Sequence, residues 1–138
     1  MINSVNFLIR KNYKSIILNS NKGAITDAAG ANIYNLSQKA TQNILNSYFD
    51  SSGIEYGVLR VPLAGVDFSL RPYSYDDTIN DLNLTKFALS YEDLKWKIPF
   101  AQAAIALSKN KKIKFFASAW TAPKWMKTNN DFKGNGRI

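Results

Sequence analysis

Three short apolar runs, Gly23 to Ile25, Tyr56 to Val61 and Ile113 to Ser118, are separated by two stretches whose apolar residues recur at helical spacing. The first stretch carries Ala40, Ile44, Leu45 and Tyr48, with Ser37 as its N-cap and Asp50 to Gly53 closing it. The second opens on Ser90-Tyr91-Glu92-Asp93, the form of a capping box, and continues through Leu94, Ile98, Ala101 and Ile105 on one face. Pro99 sits early in that helix or marks its true start. The order β, α, β, α, β predicts an α/β fold with a parallel sheet, because parallel neighbours need a long crossover and a helix supplies it. Periodicity alone leaves a barrel and an open doubly wound sheet as alternatives. The glycine fingerprint of dinucleotide-binding sheets is missing after the first run. A complete (β/α)8 TIM barrel takes about 250 residues, so in the barrel reading 138 residues hold only part of one.

In parallel β/α folds the sites lie beyond the carboxyl ends of the strands. Those positions hold Thr26 and Asp27, then Arg60 through Phe68, then Ser118 through Trp125. The connection from Leu63 to Leu89 far exceeds the usual two to six residues or so and marks a functional loop. A carboxylate accepts hydrogen bonds from sugar hydroxyls in pairs, and an indole lies flat against the C–H face of a pyranose, so Asp67 and Trp120 are the natural sugar-binding candidates. Each has a plainer alternative. Asp67 equally suits a hydrogen bond within its own turn, and Trp120 and Trp125 equally suit the apolar filling at the end of a barrel. Arg60, inside an apolar run, must be paired if buried. Asp27 reads more readily as a helix or turn cap than as a catalytic group.

The chain has no cysteine and no histidine, which excludes disulfides, thiolate metal sites and every histidine-dependent triad within it, and no metal or cofactor is expected. Proton chemistry is left to carboxylates, tyrosines and lysines. The net charge of +8 favours anionic surfaces. Its basic residues are scattered, however; only Lys109, Lys111, Lys112 and Lys114 cluster, as a solvated loop leading into a strand. No nucleic-acid-binding signature accompanies them, and no nucleic-acid partner is expected. Glu55 and Glu92 are the only glutamates. The first precedes the second strand, at the end opposite the site, and the second belongs to the helix start, where the dipole favours it.

The segments Gly23 to Ala29 (Gly-Ala-Ile-Thr-Asp-Ala-Ala), Ser47-Tyr48-Phe49, Arg60-Val61-Pro62 with Asp67-Phe68-Ser69, Lys97-Ile98-Pro99, and Trp120 to Trp125 with Lys127-Thr128-Asn129 together resemble the front of the lysosomal glucosylceramidases. The resemblance runs in unbroken order from about Gly23 to Gly136. It implies that residues 23–138 are the N-terminal portion of a (β/α)8 glycosidase barrel, about its first three strands, in a family whose complete members add a β-sandwich. It also implies retaining hydrolysis of glucosylceramide to glucose and ceramide. By resemblance, Asp67 binds glucose hydroxyls, Trp120 lines the glucose pocket, and Arg60 and Phe68 support it. No catalytic residue is expected in this chain. The acid/base glutamate of an Asn-Glu-Pro motif and the later nucleophile are both expected downstream of Ile138, so the chain alone is expected to be inactive.

The same resemblance implies a lysosomal location, glucosylceramide at a membrane surface as substrate, and a saposin-like activator protein as partner. Residues 1–22 depart from the family pattern and stay unassigned. Their apolar patches, Val5 to Ile9 and Ile16 to Leu18, suit neither a transmembrane helix nor a signal peptide. The triplets Asn35-Leu36-Ser37 and Asn83-Leu84-Thr85 are compatible with a secretory route. Two other readings stand beside the leading one: a non-catalytic remnant that binds glycolipid or acidic membrane, and a glycosidase acting on another β-linked sugar.

Overall fold

A computed structural model describes residues 8–11, 14–17, 21–109 and 112–138. Strands β1 (Leu8–Lys11) and β2 (Lys14–Ile17) pair antiparallel as a hairpin. The apolar patches of residues 1–22 fall partly in this hairpin and partly outside the described residues. Strands β3 (Lys22–Ala24), β4 (Val58–Leu63) and β5 (Lys114–Ala119) form a parallel sheet in that order. Helices α1 (Asp27–Tyr34) and α2 (Gln38–Phe49) lie between β3 and β4, and α3 (Ile98–Leu107) lies between β4 and β5. Sequential, parallel strands joined by helices are what the apolar pattern predicts.

Leu59 and Val61 of β4 belong to the helix side of the sheet, where a core forms from Ile25, Ile33, Leu45, Phe49, Leu59, Phe100 and Ala104. Arg60, at the intervening position, faces the other side, because successive side chains in a strand alternate. The four apolar positions expected of the second helical stretch's predecessor, Ala40, Ile44, Leu45 and Tyr48, are indeed the buried or half-buried face of α2, and Ser37 caps it by accepting from the Ala40 N–H at 3.4 Å. Burial of the second strand on both faces is only partly realised. Leu59 and Pro62 are buried, whereas Arg60 and Val61 are half-buried and Leu63 is exposed.

Pro62 is an unusual residue inside a central strand, since it offers no N–H to the ladder. Arg60 O accepts from the Ile25 N–H at 2.8 Å, so the polar groups of Arg60 face β3. Two residues on, Pro62 faces the same side, but β3 has ended at the partner of Arg60, Ala24. No ladder donor is needed there, and the Pro62 carbonyl accepts instead from Lys97 Nζ at 3.1 Å.

Three features depart from the sequence reading. Helix α1 was not expected, because its Asp-Ala-Ala-Gly-Ala run shows little apolar periodicity; its stability comes from Thr26, which caps it by accepting from the Ala29 N–H at 3.0 Å. Asp27 is therefore not the cap. The stripe Leu94, Ile98, Ala101 and Ile105 is not the buried face either: Leu94 and Ile105 are 60% and 59% exposed. The buried positions are Asp93, Lys97, Phe100 and Ala104. A π-helical turn over Asp93–Lys97 precedes α3, with the Ile98 N–H donating to Asp93 O. Pro99 has no N–H for the usual four-residue bond and its ring crowds the carbonyl four residues back, which favours this wider turn. The capping box is half formed. The Asp93 carboxylate accepts from the Ser90 N–H at 3.2 Å, while Ser90 Oγ donates to Ser74 O at 3.3 Å.

Gly30 lets α1 approach the π-helical turn. A Cβ there would stand 2.8 Å from Trp96 Cβ and 3.2 Å from the Trp96 carbonyl oxygen. Gly30→Ala is expected to destabilise by about 1–3 kcal/mol through overpacking, despite alanine's better helix propensity. A raised denaturation midpoint would show that the two elements separate freely.

The lysine cluster is solvated: Lys109 and Lys112 are exposed between α3 and β5, Lys114 is exposed at the start of β5, and Lys111 lies outside the described residues. Among the described residues, no helix is long and apolar enough to cross a membrane.

Candidate functional site

The long connection after β4 is ordered by polar ties rather than by helices or strands. Ala64 and Gly65 turn the chain out of the strand, Ala64 with φ +64°, and the Gly65 N–H donates to Tyr73 O at 3.1 Å. Gly65 sits in close approach to Tyr73: a Cβ there would lie 3.1 Å from the ring, which would have to shift to admit it. Further along, Asp81 accepts from the Thr85 N–H at 3.0 Å, the Thr85 hydroxyl at 2.9 Å and the Lys86 N–H at 2.6 Å. Tyr75 Oη donates to Asp93 at the start of the π-helical turn.

At the carboxyl ends of β4 and β5 this loop meets the one that follows β5. Trp120 Nε1 donates to Asp67 Oδ1 at 3.0 Å, across 53 residues of sequence. The Arg60 guanidinium lies over the Trp120 ring, 4.8 Å from its centroid. Three of the four sugar-site candidates are thus one contiguous group. Asp67 takes its indole donor from the neighbouring strand's loop, so the reading in which it serves only its own turn does not describe its contacts. Trp120 is 43% exposed and is not core filling. Arg60 takes part in neither the Arg71–Glu92 nor the Lys97–Asp93 ion pair; its positive charge rests against the indole face.

Phe68 is placed differently. Its side chain is 85% exposed and lies outside the cavity that Asp67 and Trp120 line. In the Val66 to Ser69 turn, Asp67 goes to the cavity and the next residue, Phe68, to solvent. The cavity measures about 520 Å³, and Arg71, Tyr73, Lys127 and Phe132 are among its other walls. Lys127 Nζ donates to Phe132 O at 3.0 Å, tying the last segment of the chain to this rim. Trp125 instead serves the frame: it is half-buried and its Nε1 donates to Asp76 O at 2.9 Å.

Neither glutamate is available for acid–base work in this cavity. Glu92 forms a bidentate pair with Arg71, at 2.7 and 2.9 Å, which explains it more fully than the helix dipole does. Glu55 sits before β4, at the opposite end of the strand from Asp67. Behind two of the cavity's walls, Ser69 and Tyr73, lie Asp27, Tyr75, Asp93 and Lys97, and the sequence left these six unnoticed as a group. Burial raises the Tyr73 and Tyr75 hydroxyls well above the usual tyrosine range, with the Asp27 charge adding to both. Only a clustering of buried acids around two tyrosines gives the signal, and that is invisible in the linear pattern.

The structure is thus a parallel β/α sheet with a carboxylate and an indole joined across the carboxyl ends of adjacent strands. Residues 18–138 match the glycosyl hydrolase family 30 TIM-barrel domain, and the chain belongs to that family. This resolves the choice between barrel and open sheet. The chain is 47% identical over 116 residues to the lysosomal acid glucosylceramidase of Mus musculus, covering 84% of this chain and 22% of that protein. It is 30% identical over 115 residues to the endo-1,6-beta-D-glucanase BGN16.3 of Trichoderma harzianum, covering 81% of this chain and 23% of that protein. Among solved structures, SrfJ from Salmonella typhimurium superposes with a TM-score of 0.77 at 34% identity, covering 86% of this chain and 26% of that one. The chain thus spans less than a quarter of the curated relatives it matches, and corresponds to the early part of a glycoside hydrolase barrel with glucosylceramidases among its relatives.

Proposed function

We propose that this chain forms the glucose-binding wall of a retaining β-glucosidase that hydrolyses glucosylceramide to glucose and ceramide. The observation that carries this reading is the Asp67–Trp120 hydrogen bond with Arg60 stacked behind the indole. Trp120 Nε1 occupies one oxygen of Asp67, and the other remains to accept from sugar hydroxyls, while the exposed part of the indole offers a flat surface to the ring. The 47% identity to the mouse lysosomal enzyme supports glucosylceramide over other glucosides. A lysosomal location, action at a membrane surface and assistance by a saposin-like activator belong to the same proposal. Asn35 and Asn83, the acceptors of the two sequons, are both exposed, which suits a secretory route.

Retention requires two carboxylates about 5–5.5 Å apart. With Glu92 committed to Arg71, both are proposed to come from later strands of the barrel. The 138-residue chain by itself is therefore expected to release no product from an aryl β-glucoside above the buffer blank. Turnover by the purified chain would place catalytic groups within it and overturn the proposal.

A second reading, hydrolysis of another β-linked sugar, is favoured by the endo-1,6-glucanase relative at 30% identity. Side-by-side kcat/KM values for glucosylceramide and for a β-1,6-linked glucan, measured on a complete enzyme carrying this segment, separate the two. Preference for the glucan would replace the lipid substrate.

A further inference from the structure

We infer that Asp27, which does not itself line the cavity, is a positioning residue: through Ser69 it holds the turn that presents Asp67 to the sugar. This rests on the proposed role of Asp67. Asp27 begins α1, beyond the carboxyl end of β3, and is 1% exposed. Its Oδ1 accepts from Ser69 Oγ at 2.9 Å, and Ser69 Oγ in turn accepts from the Val66 N–H at 2.8 Å. The Ser69 N–H closes the same turn on Val66 O at 3.1 Å. Asp67 is the residue immediately after Val66, and its side chain meets Trp120 from the turn that Ser69 has fixed.

The chemistry of the relay is directional. A serine hydroxyl has one hydrogen to donate and otherwise accepts, and an ionised carboxylate can only accept. Asp27 therefore accepts the Ser69 O–H hydrogen bond, which leaves a lone pair of that hydroxyl facing the Val66 N–H. An amide at position 27 can present its NH2 group to Ser69, in which case the hydroxyl must accept twice and its grip on Val66 loosens. The turn lies across the sheet from its anchor, 42 residues away in sequence, so Asp27 couples the first parallel strand's end to the second's. Tyr73, whose ring stands beside Gly65 at the root of the turn, is near enough to Asp27 for the carboxylate charge to add to the upward shift that burial gives its hydroxyl.

The test is a double-mutant cycle in a complete enzyme carrying this segment, using Asp27→Asn, Asp67→Ala and the pair, with kcat/KM for a β-glucoside normalised to titrated active sites. Asp27→Asn alone is expected to lower kcat/KM by about 10–100-fold, the scale of a sub-ångström to 1 Å misplacement. In the Asp67→Ala background the same change is expected to alter it by less than about twofold, because the group it positions is gone. Independent, multiplicative losses would overturn the inference, as would a full effect of Asp27→Asn that persists without Asp67. If Asp67→Ala has no effect by itself, the sugar reading of Asp67 fails, and the positioning claim is then decided on the Trp120 indole N–H resonance. That signal must shift in Asp27→Asn toward its position in Asp67→Ala; an unmoved signal overturns the inference. Since a purely structural role lowers the melting temperature without moving the indole resonance of the folded protein, the two roles give different records.

Discussion

Replacing Asp67 with alanine, in a complete enzyme carrying this segment, is expected to lower kcat/KM by about 10²–10⁴ while leaving the melting temperature nearly unchanged. Two hydroxyl-to-carboxylate hydrogen bonds at about 1.5–3 kcal/mol each give about 3–6 kcal/mol, and each 1.4 kcal/mol or so is tenfold. Folding should survive because Asp67 is exposed and its bond to Trp120 is a surface contact between two loops, not part of the core. The loss should appear mainly in kcat if the bonds tighten as the ring flattens toward the oxocarbenium-like transition state, and mainly in KM if they are equal in both states. An unchanged kcat/KM removes Asp67 from the sugar site and leaves its bond to Trp120 as loop packing.

The largest expected loss of stability comes from Lys97→Met. Lys97 Nζ is buried with Asp93 Oδ1 at 2.6 Å, and it also donates to Pro62 O, Ala64 O and Tyr75 Oη at 3.1, 3.2 and 3.2 Å. Methionine keeps the length and volume of the side chain but leaves the Asp93 carboxylate without its cation and two carbonyls without a donor. Removing one partner of a buried pair costs about 3–5 kcal/mol, a large share of the 5–15 kcal/mol or so that holds a typical domain together. The same lysine closes the end of β4, so the loop bearing Asp67 is expected to lose its anchor before the helices melt. The measurement is the denaturant midpoint, with Asp93→Leu added to Lys97→Met as the control. Partial recovery in the double variant identifies the stranded charge as the cause; a single-variant shift below about 1 kcal/mol would mean that the pair is solvated rather than buried.

The alternation of strands and helices, the N-cap at Ser37 and the long loop after the second strand were legible in the sequence because each is a local property. Apolar spacing reports which face of α2 is buried, and a hydroxyl before a helix needs no distant partner to act as a cap. The meeting of Asp67, Trp120 and Arg60 was legible only in kind: residue types suited to a sugar, at strand ends known to face one way. Phe68 shows the limit, since adjacency to Asp67 said nothing of which way its ring would turn, and a tight turn sends successive side chains to different sides.

What the sequence determined by itself was the order of elements, the residue types delivered to the carboxyl ends of the strands, and through the ordered motifs the family. Tertiary structure alone decided which face of α3 and of the turn before it is buried, and what stands beneath the site. The face of α3 is set from the preceding turn by Lys97 and Asp93, charged residues that hydrophobic spacing assigns to solvent; Lys97 is buried because the end of β4, 33–35 residues earlier, leaves carbonyls that need a donor, and Asp93 is buried with it as its counter-ion. Helix α1 forms without an apolar stripe because Thr26 caps it and Gly30 lets it pack closely against Trp96. Such partners are selected by geometry in three dimensions, where the cost of leaving a buried polar group unpaired exceeds the preference of any single residue for water or for core.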